Sequence, residues 1–168
     1  MATKHIRSFC IFLEFEPYLQ QWLIHENGDE LPILFPKLSV ENRILETYLI
    51  KRPSHVSAEF PNPGSIAIGI PHFRHTNPEV YNYLPKGAKT ELHEVIRNRF
   101  IIQLWTDLHR FGHIGKRKDH LVEAWMEAHG IEVNDTNFNT ILKIIQRQHK
   151  SYIERQRYKR KKSKKQKH

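Results

Sequence analysis

Residues 119–130 read Asp119-His120-Leu121-Val122-Glu123-Ala124-Trp125-Met126-Glu127-Ala128-His129-Gly130, and residues 134–147 read Asn134-Asp135-Thr136-Asn137-Phe138-Asn139-Thr140-Ile141-Leu142-Lys143-Ile144-Ile145-Gln146-Arg147. In the first stretch Leu121, Val122, Trp125 and Met126 share one face at helical spacing. Gly130 stops that helix, because glycine takes the left-handed conformation after a helix at little cost. Asn134-Asp135-Thr136 then offers N-cap oxygens for a second helix. Phe138, Ile141, Leu142 and Ile145 make its apolar stripe, and Asn137, Asn139, Thr140, Lys143 and Arg147 make its other face. Amides, a hydroxyl and cations on an exposed helical face suit base edges and phosphates in a groove. The spacing therefore predicts a helical hairpin, 119–147, that runs on into a basic tail.

The charge lies where that hairpin ends. The chain has 168 residues and a formal net charge of +9, with 27 Lys+Arg against 18 Asp+Glu. Eleven of those cations and one acid, Glu154, fall between Arg147 and His168, so that segment carries +10 and the preceding 146 residues carry −1. A block of this kind releases counterions from a polyanion and is drawn to it. A solvated end that only keeps the chain in solution is the plainer alternative. The phosphate contacts expected from sequence are Lys116, Arg117, Lys118, Lys143, Arg147, Lys150, Arg155, Arg157, Lys159, Arg160, Lys161 and Lys162. Asn137, Asn139 and Thr140 are expected at base edges. Tyr152 and Tyr158 alternate with cations and can stack on unpaired bases.

Other chemistry finds less support. Cys10 is the single cysteine, so neither an internal disulfide nor a cysteine-based zinc site can form. His109 and His113, with Asp107 and Asp119 near, hint at a metal, but Gly112 separates the pair and spacing fixes no third ligand. Glu91, His93 and Glu94 sit at a helix start, where acids favour the dipole and water is near. Neither a phosphate-binding glycine loop nor a GxSxG elbow occurs. No cofactor, no metal and no enzymatic activity are expected. No apolar run reaches membrane-spanning length, so the chain is expected to be cytoplasmic, associated with the nucleoid if bound to DNA. A homo-oligomer remains compatible with the pattern.

The rest of the chain predicts an α+β fold. Ile6 to Phe15 reads as a strand with Phe9, Ile11, Leu13 and Phe15 on one face. Pro17 opens a short helix with Leu19, Trp22 and Leu23 inward, ended by Asn27-Gly28. Ile33 to Phe35, between Pro32 and Pro36, is an edge piece. Ser39 caps a helix over Val40–Ile50, with Ile44, Leu45, Tyr48 and Leu49 inward. Ser65 to Ile70 is a strand whose Ala67-Gly69 side admits close approach. Tyr81, Tyr83 and Leu84 are assigned to a short helix or turn. Lys89 to Phe111 is the longest helix, with Leu92, Ile96, Phe100, Leu104, Leu108 and Phe111 as its ridge. The expected organisation is a small α+β layer (1–53), then a strand and helical bundle with the hairpin (54–158) packed with it as one unit, then a disordered basic tail (159–168). Pro53 to Gly64 is the best candidate boundary.

Strand, helix, helix in the first fifty residues resembles a ribbon-helix-helix protein. However, the alternate strand face of Ser8, Cys10 and Phe12 is poor equipment for reading bases, so a layer that only packs is preferred. The hairpin resembles a helix-turn-helix, but its turn is about two residues longer, which leaves a longer-turn variant, a winged-helix-like piece or a plain αα-hairpin that only packs. A DNA-docking role is preferred because the basic tail adjoins it. Three further segments form a set: Phe35-Pro36-Lys37 with Ser39-Val40-Glu41-Asn42, Val95-Ile96-Arg97-Asn98-Arg99-Phe100, and Trp105-Thr106-Asp107-Leu108-His109-Arg110-Phe111-Gly112. With the hairpin, these make the chain look like small uncharacterised proteins of phages and integrated mobile elements, notably of gut Bacteroides-type bacteria. That resemblance carries no assigned reaction, and it implies a DNA-related role borne by a mobile element. The expectation is a non-enzymatic nucleic-acid-binding protein, DNA preferred over RNA, regulatory or accessory to such an element. RNA or ribosome association, and a structural or assembly role, are the alternatives.

Overall fold

The computed structural model describes residues 9–111 and 118–165, and gives backbone only at 110, 111, 118 and 163–165. Its elements are β1 (Cys10–Glu14), α1 (Pro17–Glu26), α2 (Val40–Tyr48), β2 (Ile50–Lys51), β3 (Ser65–Gly69), β4 (Tyr81–Tyr83), α3 (Lys86–Phe111), α4 (Lys118–Ala128) and α5 (Asp135–Lys165). They form an α+β fold, small antiparallel sheets with two helices followed by three helices. Two compact units result, Met1–Phe100 and Ile101–His168.

In the first unit β1 pairs antiparallel with β3, from Cys10 opposite Gly69 to Glu14 opposite Ser65. Ile33 completes the other edge of β3: its N–H donates to Ala67 O and its carbonyl accepts from Gly69 N. The edge position expected from the flanking prolines is therefore observed. The alternation in β1 and β3 buries Ile11, Leu13, Ile66 and Ile68 on one face, as period two requires. A Cβ at Gly69 would stand 2.5 Å from Leu34 Cδ2, so the exposed Leu34 side chain, which crosses this position, would have to turn aside.

Pro17 occupies the first turn of α1, and Tyr18, Leu19, Trp22 and Leu23 are buried. Burial, with the Glu16 carboxylate adding to it, pushes the Tyr18 hydroxyl up in pKa. Ser39 caps α2, its side chain accepting from Asn42 N. α2 stops at Tyr48, short of the expected Ile50, because Ile50–Lys51 becomes β2 and pairs with β4. Tyr81–Tyr83 is therefore a strand and not the short helix or turn read from sequence; its partner is thirty residues away, where no local pattern reaches. Tyr48, expected inward, is 41% exposed. α3 buries Leu92, Ile96 and Phe100 in this unit, and Phe100 meets the edge of Trp22 at 5.3 Å and 81°.

Glu41 is a buried carboxylate. Its Oε1 accepts from Arg99 Nη1 at 2.7 Å, and the Arg99 guanidinium lies 5.1 Å from the Trp22 ring centre. Removing the cation would strand the anion in an apolar layer. Arg99→Met should destabilise this unit by about 2–3 kcal/mol, below the full buried-pair cost because the Arg99 side chain is 37% exposed. Adding Glu41→Leu should recover most of that loss. Urea denaturation checks both, and a single variant as stable as the parent would contradict this account.

Candidate nucleic-acid interface

The hairpin forms as α4, a turn and α5. α4 ends in a Schellman arrangement: Gly130 has φ 68°, Ile131 N donates to Met126 O at 2.9 Å, and Gly130 N donates to Glu127 O at 3.3 Å. Ile131 and Met126 are both buried, the apolar pairing that usually accompanies this cap. Asn134 is the N-cap of α5, its Oδ1 accepting from Asn137 N at 2.9 Å.

Asn137 departs from its expected role. It is 2% exposed, and its Nδ2 donates to Glu132 O at 3.0 Å. It staples the turn from inside and cannot approach a base edge. The reason is one of phase: Asn137, Ile141 and Ile144 are the buried positions of α5, so the inner face is centred about one residue away from the predicted stripe. Phe138, Leu142 and Ile145 are half-buried on one flank. Thr140 is half-buried with its hydroxyl donating to Thr136 O at 2.7 Å. Asn139 is exposed.

Asp107 of α3 ties α4 in place. Its Oδ2 accepts from Trp125 Nε1 at 3.0 Å and lies 3.8 Å from His129 Nε2. The His129 ring stacks on Trp125 at 4.2 Å. A residue that the sequence offers as a possible metal ligand is thus the acceptor for a buried indole. Among the described residues, no group of three or more His, Cys, Asp or Glu is placed to hold a metal ion. His113 lies outside the described residues. Of the two aromatic candidates, Tyr152 packs 5.1 Å from His109 and 5.9 Å from Trp105, whereas Tyr158 is 70% exposed. Burial pushes the Cys10 thiol up in pKa, which lowers its thiolate fraction.

The largest difference from expectation is the tail. The segment predicted to lose structure beyond Lys159 is helical through Lys165, so α5 is one helix of 31 residues. Lysine, arginine and glutamine are good helix formers, neither proline nor glycine occurs after Gly130, and cations suit a helix C-terminus. At roughly 100° per residue, the exposed side chains Asn139, Lys143, Gln146, Arg147, Lys150, Arg157 and Lys161 fall within an arc of about 100° opposite Ile141. Arg155, Lys159, Arg160 and Lys162 are exposed on the remaining sides. Glu154 is the one acid within the row. Lys116 and Arg117 lie outside the described residues, and Lys118 is placed only as the first residue of α4. Among the described residues no helix is long and apolar enough to cross a membrane.

Comparison with known proteins returned no matching protein-family model, no matching curated protein and no matching solved structure.

The two neighbouring asparagines should respond differently. Asn137→Ala should destabilise the fold by about 1–3 kcal/mol, because Glu132 O and the turn lose a buried partner. Asn139→Ala should leave stability within about 0.5 kcal/mol. Thermal unfolding of both variants tests this; equal effects would contradict the assigned burial.

Proposed function

We propose that the chain is a non-enzymatic nucleic-acid-binding protein that prefers duplex DNA to RNA, acting as a regulatory or accessory protein of a phage or mobile element. The observation that carries this reading is the row Asn139, Lys143, Arg147, Lys150, Arg157 and Lys161 on one side of a single helix. From Asn139 to Lys161 the row spans about 33 Å, close to the roughly 34 Å helical turn of B-form DNA. Cations at such positions meet successive phosphates, and the counterions they displace supply the binding free energy.

Helix geometry favours DNA. The B-form major groove admits an α-helix, whereas the major groove of A-form RNA is too deep and narrow to be read by side chains. Phosphate contacts position without reading sequence, and Asn139 is the one amide of the predicted base-reading set that remains on the outer face. The inner face of α5 does not dock on nucleic acid. Asn137 belongs to the turn, and Lys143, Arg147 and Lys150 do the holding.

Two variants test this reading. Lys143→Glu with Lys150→Glu should weaken duplex binding by more than tenfold and reduce the slope of log K against log salt by about 2, at roughly 0.9 per phosphate contact. Gln156→Pro keeps every charge but breaks the helix, and should lower duplex affinity severalfold. Anisotropy titrations across salt read both. A charge-reversed protein with the parental slope would remove the row from the mechanism. A proline variant with parental affinity would mean that the tail works as a flexible polycation.

A further inference from the structure

A cleft of about 400 Å³ opens in the second unit, among the C-terminal part of α3, α4 and the first half of α5. Leu121, Leu142 and Ile145 line it and are only half-buried. Trp105 and His109 also line it, their rings stacked at 4.8 Å and 24°. Polar groups stand beside this apolar lining: the Asp119 carboxylate, the Gln146 amide and the His149 imidazole. Concave, mainly apolar sites of this size with a few polar groups are what small planar ligands occupy.

The position of the cleft on α5 narrows the ligand class. Gln146 belongs both to the cleft and to the cation row, with Lys143 three residues before it and Lys150 four residues after. Side chains at those spacings are surface neighbours on a helix. A phosphate chain held by the row would pass the rim of the cleft. We propose that the cleft accepts an unpaired nucleobase from the strand whose phosphates lie on that row, an assignment that rests on the nucleic-acid reading above. The aromatic pair offers a stacking partner, which tolerates any base because every base has a π-face. Asp119 and Gln146 offer an acceptor and an amide to the base edge. The site would then prefer bulged, mismatched or single-stranded positions, where a base leaves the stack at least cost.

The test uses the full chain and two versions of one DNA duplex, with 2-aminopurine either paired or as a single unpaired bulge. The bulged duplex should bind roughly tenfold tighter, the effect expected of one stacked base, with quenching of the probe that saturates over the same range. Leu142→Trp, which fills the cleft, and Trp105→Leu, which removes the stacking face, should each bring that affinity ratio down to about one. A parental protein that binds both duplexes equally would overturn the cleft assignment and leave the nucleic-acid reading standing. Saturable quenching of tryptophan by a free nucleoside monophosphate, without any preference for the bulge, would overturn the commitment to a base within a strand. Failure to bind any oligonucleotide at low salt would overturn the underlying reading and the cleft with it.

Discussion

A helix can show the solvent a fixed row of cations only if its opposite side is held. In α5 that hold is the burial of Ile141 and Ile144 and the Asn137 bond to Glu132 O. Together they set the rotation of the helix about its own axis. Once Ile141 points inward, the 3.6-residue repeat sends Lys143, Arg147 and Lys150 outward. No contact to those lysines and arginines is needed to aim them. The same anchoring carries past the packed half, because the helix continues without a break to Lys165. The turn before it is fixed equally tightly, by the left-handed Gly130 and the Asn134 cap.

Electrostatics gives such a helix a reason to favour the polyanion proposed for it. Past Arg155 cations occupy every side of α5, and like charges at i,i+4 repel by a few tenths of a kcal/mol per pair. The helix dipole offsets part of this at the C-terminal end. A phosphate backbone removes the repulsion directly, so helix and polyanion should stabilise each other. The near-neutral body before Arg147 adds no comparable attraction. Two of its polar contacts, Arg99 to Glu41 and Trp125 to Asp107, are ties to buried groups that help hold the fold together.

Much of this was legible along the chain. Helix ends were readable wherever a local signal marks them: Pro17, Ser39, Gly28 and Gly130 each stand where an element starts or stops. The faces of β1 and β3 followed from alternation. What could not be read depended on partners far away in sequence. Tyr81–Tyr83 becomes a strand through β2, and Asp107 becomes a hydrogen-bond acceptor through Trp125. Asn137 differs for another reason: composition assigns amides to the solvent side, and nothing local says that one of them closes a turn. Ile144 lies outside the stripe of Phe138, Ile141, Leu142 and Ile145 that spacing predicts, yet it is buried, and it carries the missing phase. Gln146 and His149 carry no local sequence signal for the cleft, because their neighbours there come from three helices.

The central claim is that phosphates meet the outer row of α5 and not the rest of the molecule. Backbone amide chemical-shift mapping of the full chain, with and without a short DNA duplex, tests it most directly. Shifts concentrated along Asn139 to Lys161, with Cys10 to Phe100 undisturbed, are the predicted result. An unchanged α5, or shifts confined to the first unit, would contradict it.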